Sequence, residues 1–317
     1  MQFPSGPTNP PINHDADRRL LRTRMRFIDS RGDGRLPSFP TNIHGLVLII
    51  LMRGINCEVL KISKNVSPLI RIGDQWRFKH EKNDIGDCTD IAFKIPNSDL
   101  KLLGTGYTKT VYQLPDGRAI KRIAFFGPSI TDCLDNEDQS DYNEEVCLQT
   151  VAKSFITEID NLLLLQNDSN IPRLHSYCIP YNFITDAPDI GIIIDGGHPL
   201  DAILLAQINW HSRVEMLNEI LAFLKRHERL SFRDIRRQQF VMIDNHPFLV
   251  DLDDVGTTSS DATDLMNRLY SGFIDGFFFH NQPTSAAIIL LQLRESYKNS
   301  SLNFEVLSRL TRDLTNF

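Results

Sequence analysis

Residues 232–254, FRDIRRQQFVMIDNHPFLVDLDD, carry the most specific structural signal in the chain. Residues 240–251 predict two short strands, because apolar runs lie on either side of a turn at Asn245. An Arg-Asp pair that ends at Asp234 precedes this hairpin, and a run of aspartates that starts at Asp251 follows it. The segment therefore predicts a loop with a candidate catalytic base, then a hairpin, then a candidate metal ligand.

The chemistry that these positions favour is that of a protein kinase. Asp234 holds the position of the aspartate that accepts a hydroxyl proton as the acceptor oxygen attacks the γ-phosphate of ATP. Asp251 holds the position of the metal-binding aspartate, and Gln239 stands where kinases have a metal-binding asparagine. Its amide oxygen suits a hard cation such as Mg²⁺ or Mn²⁺, which prefers oxygen ligands. Asp253 replaces the glycine of the usual motif and adds a carboxylate near the metal.

A glycine-rich turn lies upstream, in residues 103–112, LGTGYTKTVY. Gly104 and Gly106 stand between two predicted strands and are followed by Val111. Glycine is favoured there because a side chain would keep the backbone away from the triphosphate. Lys109 replaces the third glycine of the usual motif, and its side chain could reach into the phosphate site. A lone GxG is more often an ordinary turn, so this motif gains weight only with the lysine that follows.

That lysine is Lys121, at the end of the next predicted strand. It matches the residue that neutralises the α- and β-phosphates, at the expected distance from the glycines. In kinases such a lysine pairs with a glutamate on the following helix, and we assign this role to Glu158, whose neighbours on the helix are apolar. Glu144 and Glu145 offer competing carboxylates, since surface glutamates are common on helices.

The composition is that of an ordinary globular chain. Of the 317 residues, 41% are hydrophobic and 23% are charged, and the net charge is -6. Because no long basic stripe outweighs the acidic background, we expect no nucleic-acid partner. The five cysteines show neither the pairs of a zinc site nor the density of a small disulfide scaffold. Composition therefore leaves reduced thiols and disulfides equally open.

The order of the predicted elements favours an α+β fold with two lobes. Residues 1–43 are rich in proline and polar residues, and we expect a disordered tail there. Residues 44–95 read as an N-terminal extension, in which the apolar run at 45–52 fits either a signal segment or a buried strand. Residues 96–317 read as a protein-kinase-like domain. Its β-rich N-lobe would span about 96–195 and its mainly helical C-lobe about 196–317.

Local patterns give the elements of that domain. Short apolar runs predict strands in the N-lobe, and apolar residues at helical spacing predict helices on both sides of a hinge. The predicted strands are Lys101–Leu103, Thr110–Leu114, Arg118–Phe125 and Ile190–Ile194, the hinge is Asp195–Gly197, and the predicted helices are centred on Val151–Leu162, His211–Arg226 and Leu265–Phe279.

Taken together, these motifs resemble one family, the vertebrate lonesome kinases, which are secreted extracellular tyrosine-protein kinases. The resemblance rests on LGTGYTKTVY, on RDIRRQQFVMID with its glutamine, and on DLDD, and it extends from about Cys88 to about Leu314. It implies that a lysine at position 109 and a glutamine at position 239 are usual in the family. It also implies ATP as cofactor, protein substrates of the secretory pathway or extracellular matrix, a location in the Golgi and outside the cell, and disulfides that involve Cys88, Cys147 and Cys178.

The chain departs from this family after Asp254. Family members have a longer, cysteine-bearing activation segment and a C-terminal extension, whereas here about ten residues separate Asp254 from the next predicted helix. Because the activation segment forms much of the platform for a peptide, this departure bears more on substrate docking than on ATP binding. Two alternatives to a tyrosine kinase therefore stay open. One is a pseudokinase or scaffold that binds ATP, and the other is a kinase of a sugar or another small acceptor.

Overall fold

The computed structural model describes residues 69–82, 84–93, 100–135, 144–182, 184–256, 262–278 and 282–317. The predicted tail, the apolar run at 45–52 and Cys57 lie outside these ranges. Within them, no helix has both the length and the apolar character needed to cross a bilayer. The described residues form an α+β fold with a β-rich N-lobe and a mainly helical C-lobe, which confirms the predicted class.

The N-lobe is a twisted antiparallel sheet with helices against it. Its elements in chain order are β1 (Leu69–Ile72), β2 (Gln75–Phe78), α1 (Cys88–Phe93), β3 (Lys101–Thr105), β4 (Lys109–Gln113), β5 (Ala119–Ile123), α2 (Pro128–Asp135), α3 (Glu144–Leu165), β6 (Leu174–Cys178) and β7 (Gly191–Ile194). The five-stranded sheet has the order β3-β4-β5-β7-β6, and all its neighbours are antiparallel. The predicted strands are therefore present, with ends that differ by one to two residues.

Helix α3 packs on this sheet through one apolar face. Val151, Phe155, Ile159 and Leu162 recur at helical spacing and are all buried. Burial of each such side chain contributes about 1.5–3 kcal/mol, so this face fixes the rotation of the helix. The same rotation turns Glu158 inward.

Residues 69–93 lie against the same sheet, although their short apolar runs have no period that predicts an element. The amide of Trp76 donates to Ile179 O at 2.7 Å, and the amide of Gly86 donates to His175 O at 2.8 Å. Buried Arg77 donates to the carbonyls of Gly86 and Ile85, at 3.0 and 3.1 Å. The start of the kinase-like domain at residue 96 stays a prediction.

Two disulfides close the N-lobe. Cys88 on α1 is bonded to Cys178 on β6, and Cys133 on α2 is bonded to Cys147 on α3. All three cysteines implied by the family resemblance are thus bonded. The fourth bonded cysteine is Cys133, the partner of Cys147, which the resemblance did not single out.

We expect the Cys88→Ser/Cys178→Ser double variant to lose about 2–4 kcal/mol of unfolding free energy. The bond closes a long loop, with a sequence separation of 90 residues, and so restricts the unfolded chain strongly. The matched control is Cys133→Ser/Cys147→Ser, whose separation is 14 residues and whose loss should be smaller. Urea unfolding would measure both, and equal stability of the first variant and the wild type would contradict the pairing.

The hinge between the lobes requires its glycines. A Cβ atom added at Gly196 would lie 1.9 Å from the carbonyl oxygen of Gly117, and one at Gly197 would lie 2.8 Å from that of Met242. Side chains at these two positions would therefore push the hinge away from the β4–β5 turn and from the hairpin below it. The predicted hinge lies directly after β7.

The C-lobe begins after the hinge and holds the segment 232–254. Its elements are β8 (His198–Pro199), α4 (Ala202–Gln207), α5 (Trp210–Arg226), β9 (Ser231–Phe232), β10 (Phe240–Ile243), β11 (His246–Leu249), β12 (Val255–Gly256), α6 (Ala262–Leu269), α7 (Asp275–Phe278), α8 (Ala287–Lys298) and α9 (Phe304–Leu314). The predicted hairpin around Asn245 is the pair β10–β11, in which Asp244 and Asn245 have positive φ angles of 49° and 67°.

One predicted helix, Leu265–Phe279, differs from the structure. It consists of α6, a π-helical turn over Tyr270–Ile274, and α7. The widened turn contains Gly272, where an added Cβ would lie 2.7 Å from the carbonyl oxygen of Ile235 in the loop that carries Asp234. Such π turns inside α-helices are frequent at functional sites, and this one is packed on the candidate catalytic loop.

Candidate active site

Glu158 is the centre of a buried charge cluster between the lobes. Its side chain is fully buried on α3, and one carboxylate oxygen accepts a hydrogen bond from Lys121 Nζ. The other oxygen lies 2.8 Å from Lys109 Nζ. The competing carboxylates Glu144 and Glu145 lie in the first turn of the same helix. Of the three glutamates, Glu158 is therefore the one that meets Lys121.

Lys121 reaches this cluster from β5 and also contacts the C-lobe. The strand register places Lys121 opposite Val111 on β4, as the spacing of the motifs predicts. Its ammonium group also donates to the backbone carbonyl of Val250, the residue before Asp251. The lysine thus joins helix α3 to the end of the C-lobe hairpin, 129 positions away in the sequence.

Lys109 contributes a second buried ammonium group. It begins β4, is 6% exposed, and lies 3.0 Å from Asp251 Oδ1 and 2.6 Å from Asp253 Oδ2. Burial alone would lower the pKa of Lys109, but the charges of Glu158, Asp251 and Asp253 outweigh burial and raise it. The side chain therefore stays a cation at neutral pH.

Asp251 lies where the two lysines meet. Burial raises its pKa, but the positive charges of Lys109 and Lys121 outweigh this effect and bring the pKa to about 2. The carboxylate is therefore ionised at neutral pH, the state in which it can bind a cation. A hard divalent cation fits this oxygen ligand by charge and chemistry.

Asp234 lies on the loop between β9 and β10. Arg236 donates to both carboxylate oxygens, from Nε and from one terminal nitrogen, at 2.5 Å each. Gln239 Nε2 donates to Asp234 Oδ2 at 2.6 Å, which leaves the amide oxygen of Gln239 as the atom for a cation. The predicted base and the predicted second metal ligand therefore touch each other.

Backbone contacts fix this loop relative to Asp251. Strand β9 pairs with β12, so that Phe232 lies opposite Val255. The amide of Val250 donates to Gln239 O at 2.9 Å. These bonds hold the two candidate aspartates on adjoining backbone segments. The hydrogen bond to Asp234 and, in smaller part, the negative charge of Asp251 raise the pKa of Arg236.

The glycine-rich turn covers the site from the N-lobe side. Gly104 lies opposite Val111 across the β3–β4 pair, and the amide of Gly106 donates to Lys109 O at 2.7 Å. A Cβ atom at Gly104 would meet nothing within 4 Å, and at Gly106 only Lys109 O at 3.6 Å. The packing of the protein itself does not require these two glycines. Their open space suits a ligand that approaches the backbone, such as a triphosphate.

Three contacts to Asp253 and the residues around it were not predicted. Ser154 Oγ lies 2.5 Å from Asp253 Oδ2, and Asn161 Nδ2 donates to Leu252 O at 2.7 Å and to Val255 O at 3.1 Å. Ser154, Glu158 and Asn161 recur at helical spacing on α3, so they share a face. In the sequence, the helical spacing of these polar residues around Glu158 was the signal that could have predicted the contacts.

A divalent cation would be held by Asp251 and the amide oxygen of Gln239, with Asp253 next to them. Among the described residues, no group of three or more acidic, histidine or cysteine side chains is gathered as a ready cation site. The ammonium group of Lys109 forms ion pairs with Asp251 and Asp253. The oxygen ligands fit a hard cation, which would have to share these carboxylates with the lysine.

The chain is similar in sequence to a known protein kinase. No family model matches the chain. The chain is 31% identical over 168 residues to the human extracellular tyrosine-protein kinase PKDCC, a match that covers 50% of this chain and 32% of PKDCC. The matched region thus spans about a third of the length of that relative, and the chain is similar to a protein kinase over half of its own length.

Solved structures similar to the chain include those of WbdD. A crystal structure of WbdD matches with a TM-score of 0.46 and 16% identity, over 71% of this chain and 47% of that one. A structure described as the bifunctional kinase-methyltransferase WbdD matches with a TM-score of 0.42 and 15% identity, over 66% of this chain and 43% of that one.

Proposed function

We propose that this protein is an ATP-dependent protein kinase that transfers the γ-phosphate to tyrosine hydroxyl groups of proteins in the secretory pathway. The observation that carries the proposal is the contact between the lobes: Lys121 binds both Glu158 and the carbonyl that precedes Asp251. A lysine held in this way presents its charge to the phosphates of a nucleotide. The similarity to PKDCC over half of the chain supports the same class of reaction.

Each predicted residue then has a role in the transfer. Lys121, oriented by Glu158, binds the α- and β-phosphates under the turn that contains Gly104 and Gly106. Asp251 and Gln239 hold Mg²⁺ or Mn²⁺, which when bound neutralises charge on the phosphates. The backbone rather than a side chain covers the nucleotide at the glycines, and Val111 lies on the strand beneath it.

Asp234 is the base in this scheme. The tyrosine oxygen forms a bond to the γ-phosphorus while the bond from that phosphorus to the β,γ-bridging oxygen breaks, and ADP leaves. The hydroxyl proton passes to the carboxylate of Asp234. In the structure both carboxylate oxygens are hydrogen-bonded to Arg236, whose side chain is 58% exposed. To reach Asp234, the acceptor hydroxyl therefore has to displace the guanidinium group of Arg236, which is exposed rather than buried.

The compartment and the tyrosine preference are supported by two further observations. The relative PKDCC is named as extracellular and as a tyrosine-protein kinase. The two disulfides, Cys88–Cys178 and Cys133–Cys147, are bonds that persist in oxidising compartments such as the secretory pathway. We therefore propose secreted or matrix proteins as substrates.

A scaffold that binds ATP with little transfer is the second candidate. It is favoured by one observation: the candidate base and the candidate metal ligand are both engaged by cationic side chains, Asp234 by Arg236 and Asp251 by Lys109. If these ion pairs persist with a nucleotide bound, Asp234 cannot accept the hydroxyl proton and Asp251 cannot bind the metal ion.

Radiolabelled ATP, Mn²⁺ and peptide acceptors that contain serine, threonine and tyrosine test the proposal. We expect metal-dependent transfer, phosphotyrosine as the only labelled amino acid, and loss of transfer in Lys121→Met. Lys101→Met is the matched control, because Lys101 is an exposed lysine on strand β3 of the same sheet. ATP binding without transfer would support the scaffold. Equal transfer by Lys121→Met and the wild type would exclude the assigned site.

A further inference from the structure

Two residues stand where the usual kinase motifs have glycine, and the structure brings them together. Lys109 replaces the third glycine of the glycine-rich turn, and Asp253 replaces the glycine two residues after Asp251. They are separated by 144 positions in the sequence, and Lys109 Nζ lies 2.6 Å from Asp253 Oδ2. Each departure from the pattern thus supplies the opposite charge for the other.

Further contacts bind the same segment to helix α3. Ser154 lies 2.5 Å from the Asp253 oxygen that Lys109 also contacts. Asn161 binds the carbonyls of Leu252 and Val255 on either side of that aspartate. Residues 251–256 are therefore attached to α3 at two places and to β4 through Lys109. This is the segment that presents Asp251.

The charges in this cluster depend on one another. Lys109 is almost fully buried and lies within 3.0 Å of Glu158, Asp251 and Asp253. Loss of either partner of a buried pair leaves an uncompensated charge, whereas loss of both partners does not. Removal of the lysine alone would leave the three carboxylates with only Lys121 to offset them.

We propose that Lys109 and Asp253 are a pair of positioning residues, which holds Asp251 on the cleft side of helix α3 so that it can bind the nucleotide-associated metal. The proposal rests on the proposed function for its purpose, since it concerns the same site. It assigns no contact with substrate or metal to Asp253. The alternative is that Asp253 is itself a metal ligand, with Lys109 as its competitor.

The two interpretations predict opposite signs for one variant. With a non-hydrolysable ATP analogue at saturation, we measure Mn²⁺ affinity by titration calorimetry for Lys109→Met, Asp253→Asn and the double variant. A positioning pair predicts that both single variants bind Mn²⁺ about 10- to 100-fold more weakly. The double variant should be no weaker than the weaker single variant. If Lys109→Met binds Mn²⁺ more tightly than the wild type while Asp253→Asn binds it more weakly, the proposal is wrong.

Hydrogen–deuterium exchange of residues 251–256 gives a readout that does not depend on metal or activity. Both single variants should exchange faster there than the wild type, and the controls Lys101→Met and Asp254→Asn should not. The controls each remove the charge of an exposed residue, Lys101 on β3 and Asp254 directly after Asp253. Unchanged exchange in both single variants would overturn the proposal.

Kinetics separate positioning from direct catalysis. At saturating Mn²⁺, the kcat of both single variants should lie within about threefold of the wild-type kcat, because the loss lies in metal affinity. A kcat that stays low at saturating metal would contradict the proposal. If the wild type transfers no phosphate, the proposed function fails, but the affinity and exchange measurements still decide whether the pair positions Asp251.

Discussion

Glu158→Gln is expected to lower the unfolding free energy by about 3–5 kcal/mol, the range for breaking a buried ion pair. The carboxylate is fully buried and serves two ammonium groups at once, those of Lys121 and Lys109. Glutamine has the same shape but no charge, so packing is kept and the effect is electrostatic. Lys109 retains Asp251 and Asp253, whereas Lys121 loses the carboxylate that it contacts.

Urea unfolding measures this loss, and Glu145→Gln is the matched control. Glu145 is exposed in the first turn of the same helix, so its change should stay within about 0.5 kcal/mol. The comparison also decides between the glutamates that the sequence left in competition. Equal stabilities of the two variants would show that the cluster around Glu158 is not a buried ion pair.

Asp234→Asn is expected to lower kcat by about 10²- to 10⁴-fold, the range for losing a general base. Asparagine can still accept the hydrogen bond that Gln239 donates, but it cannot take up the proton of the acceptor hydroxyl. Binding of ATP and metal should change little, because Lys121 and Asp251 are untouched.

Single-turnover transfer from ATP measures this effect apart from binding. The control is Asp244→Asn, an exposed residue in the turn of the β10–β11 hairpin with a φ angle of 49° that asparagine tolerates. It should transfer phosphate at the wild-type rate. A wild-type rate in Asp234→Asn would assign the base to another residue.

Local sequence patterns were sufficient for the fold of the domain core. Strands of the N-lobe are short runs bounded by turn residues such as Asp116 and Gly117, and helix α3 shows a full apolar stripe. Both signals depend only on neighbours in the sequence. The extension at residues 69–93 gave no such signal, because its position depends on contacts with β6 and on the Cys88–Cys178 bond.

The residues of the candidate site could be listed from motif spacing, but not their contacts. Spacing from the glycine-rich turn pointed to Lys121, apolar neighbours on the helix pointed to Glu158, and the structure brings the two together. It could not show that Lys109 and Asp253 compensate each other, since that needs the distance between residues on separate lobes. Nor could it reveal that Arg236 covers Asp234, because a long side chain on a loop has many directions open to it.

The interruption of the predicted helix Leu265–Phe279 has a similar explanation. The apolar pattern predicts a continuous helix, whereas the structure has a wider turn at Tyr270–Ile274, where Gly272 closely approaches the backbone of the Asp234 loop. Tertiary contact thus overrides local preference where the helix supports the candidate site.

We propose that Lys121, Glu158 and Asp251 form one site for a nucleotide and its metal. A crystal structure with Mn²⁺ and a non-hydrolysable ATP analogue tests it most directly. We expect an anomalous manganese peak within bonding distance of Asp251, with the α- and β-phosphates against Lys121. Manganese and phosphates bound elsewhere, or a cleft that remains closed by the Lys109–Asp251 pair, would contradict the claim.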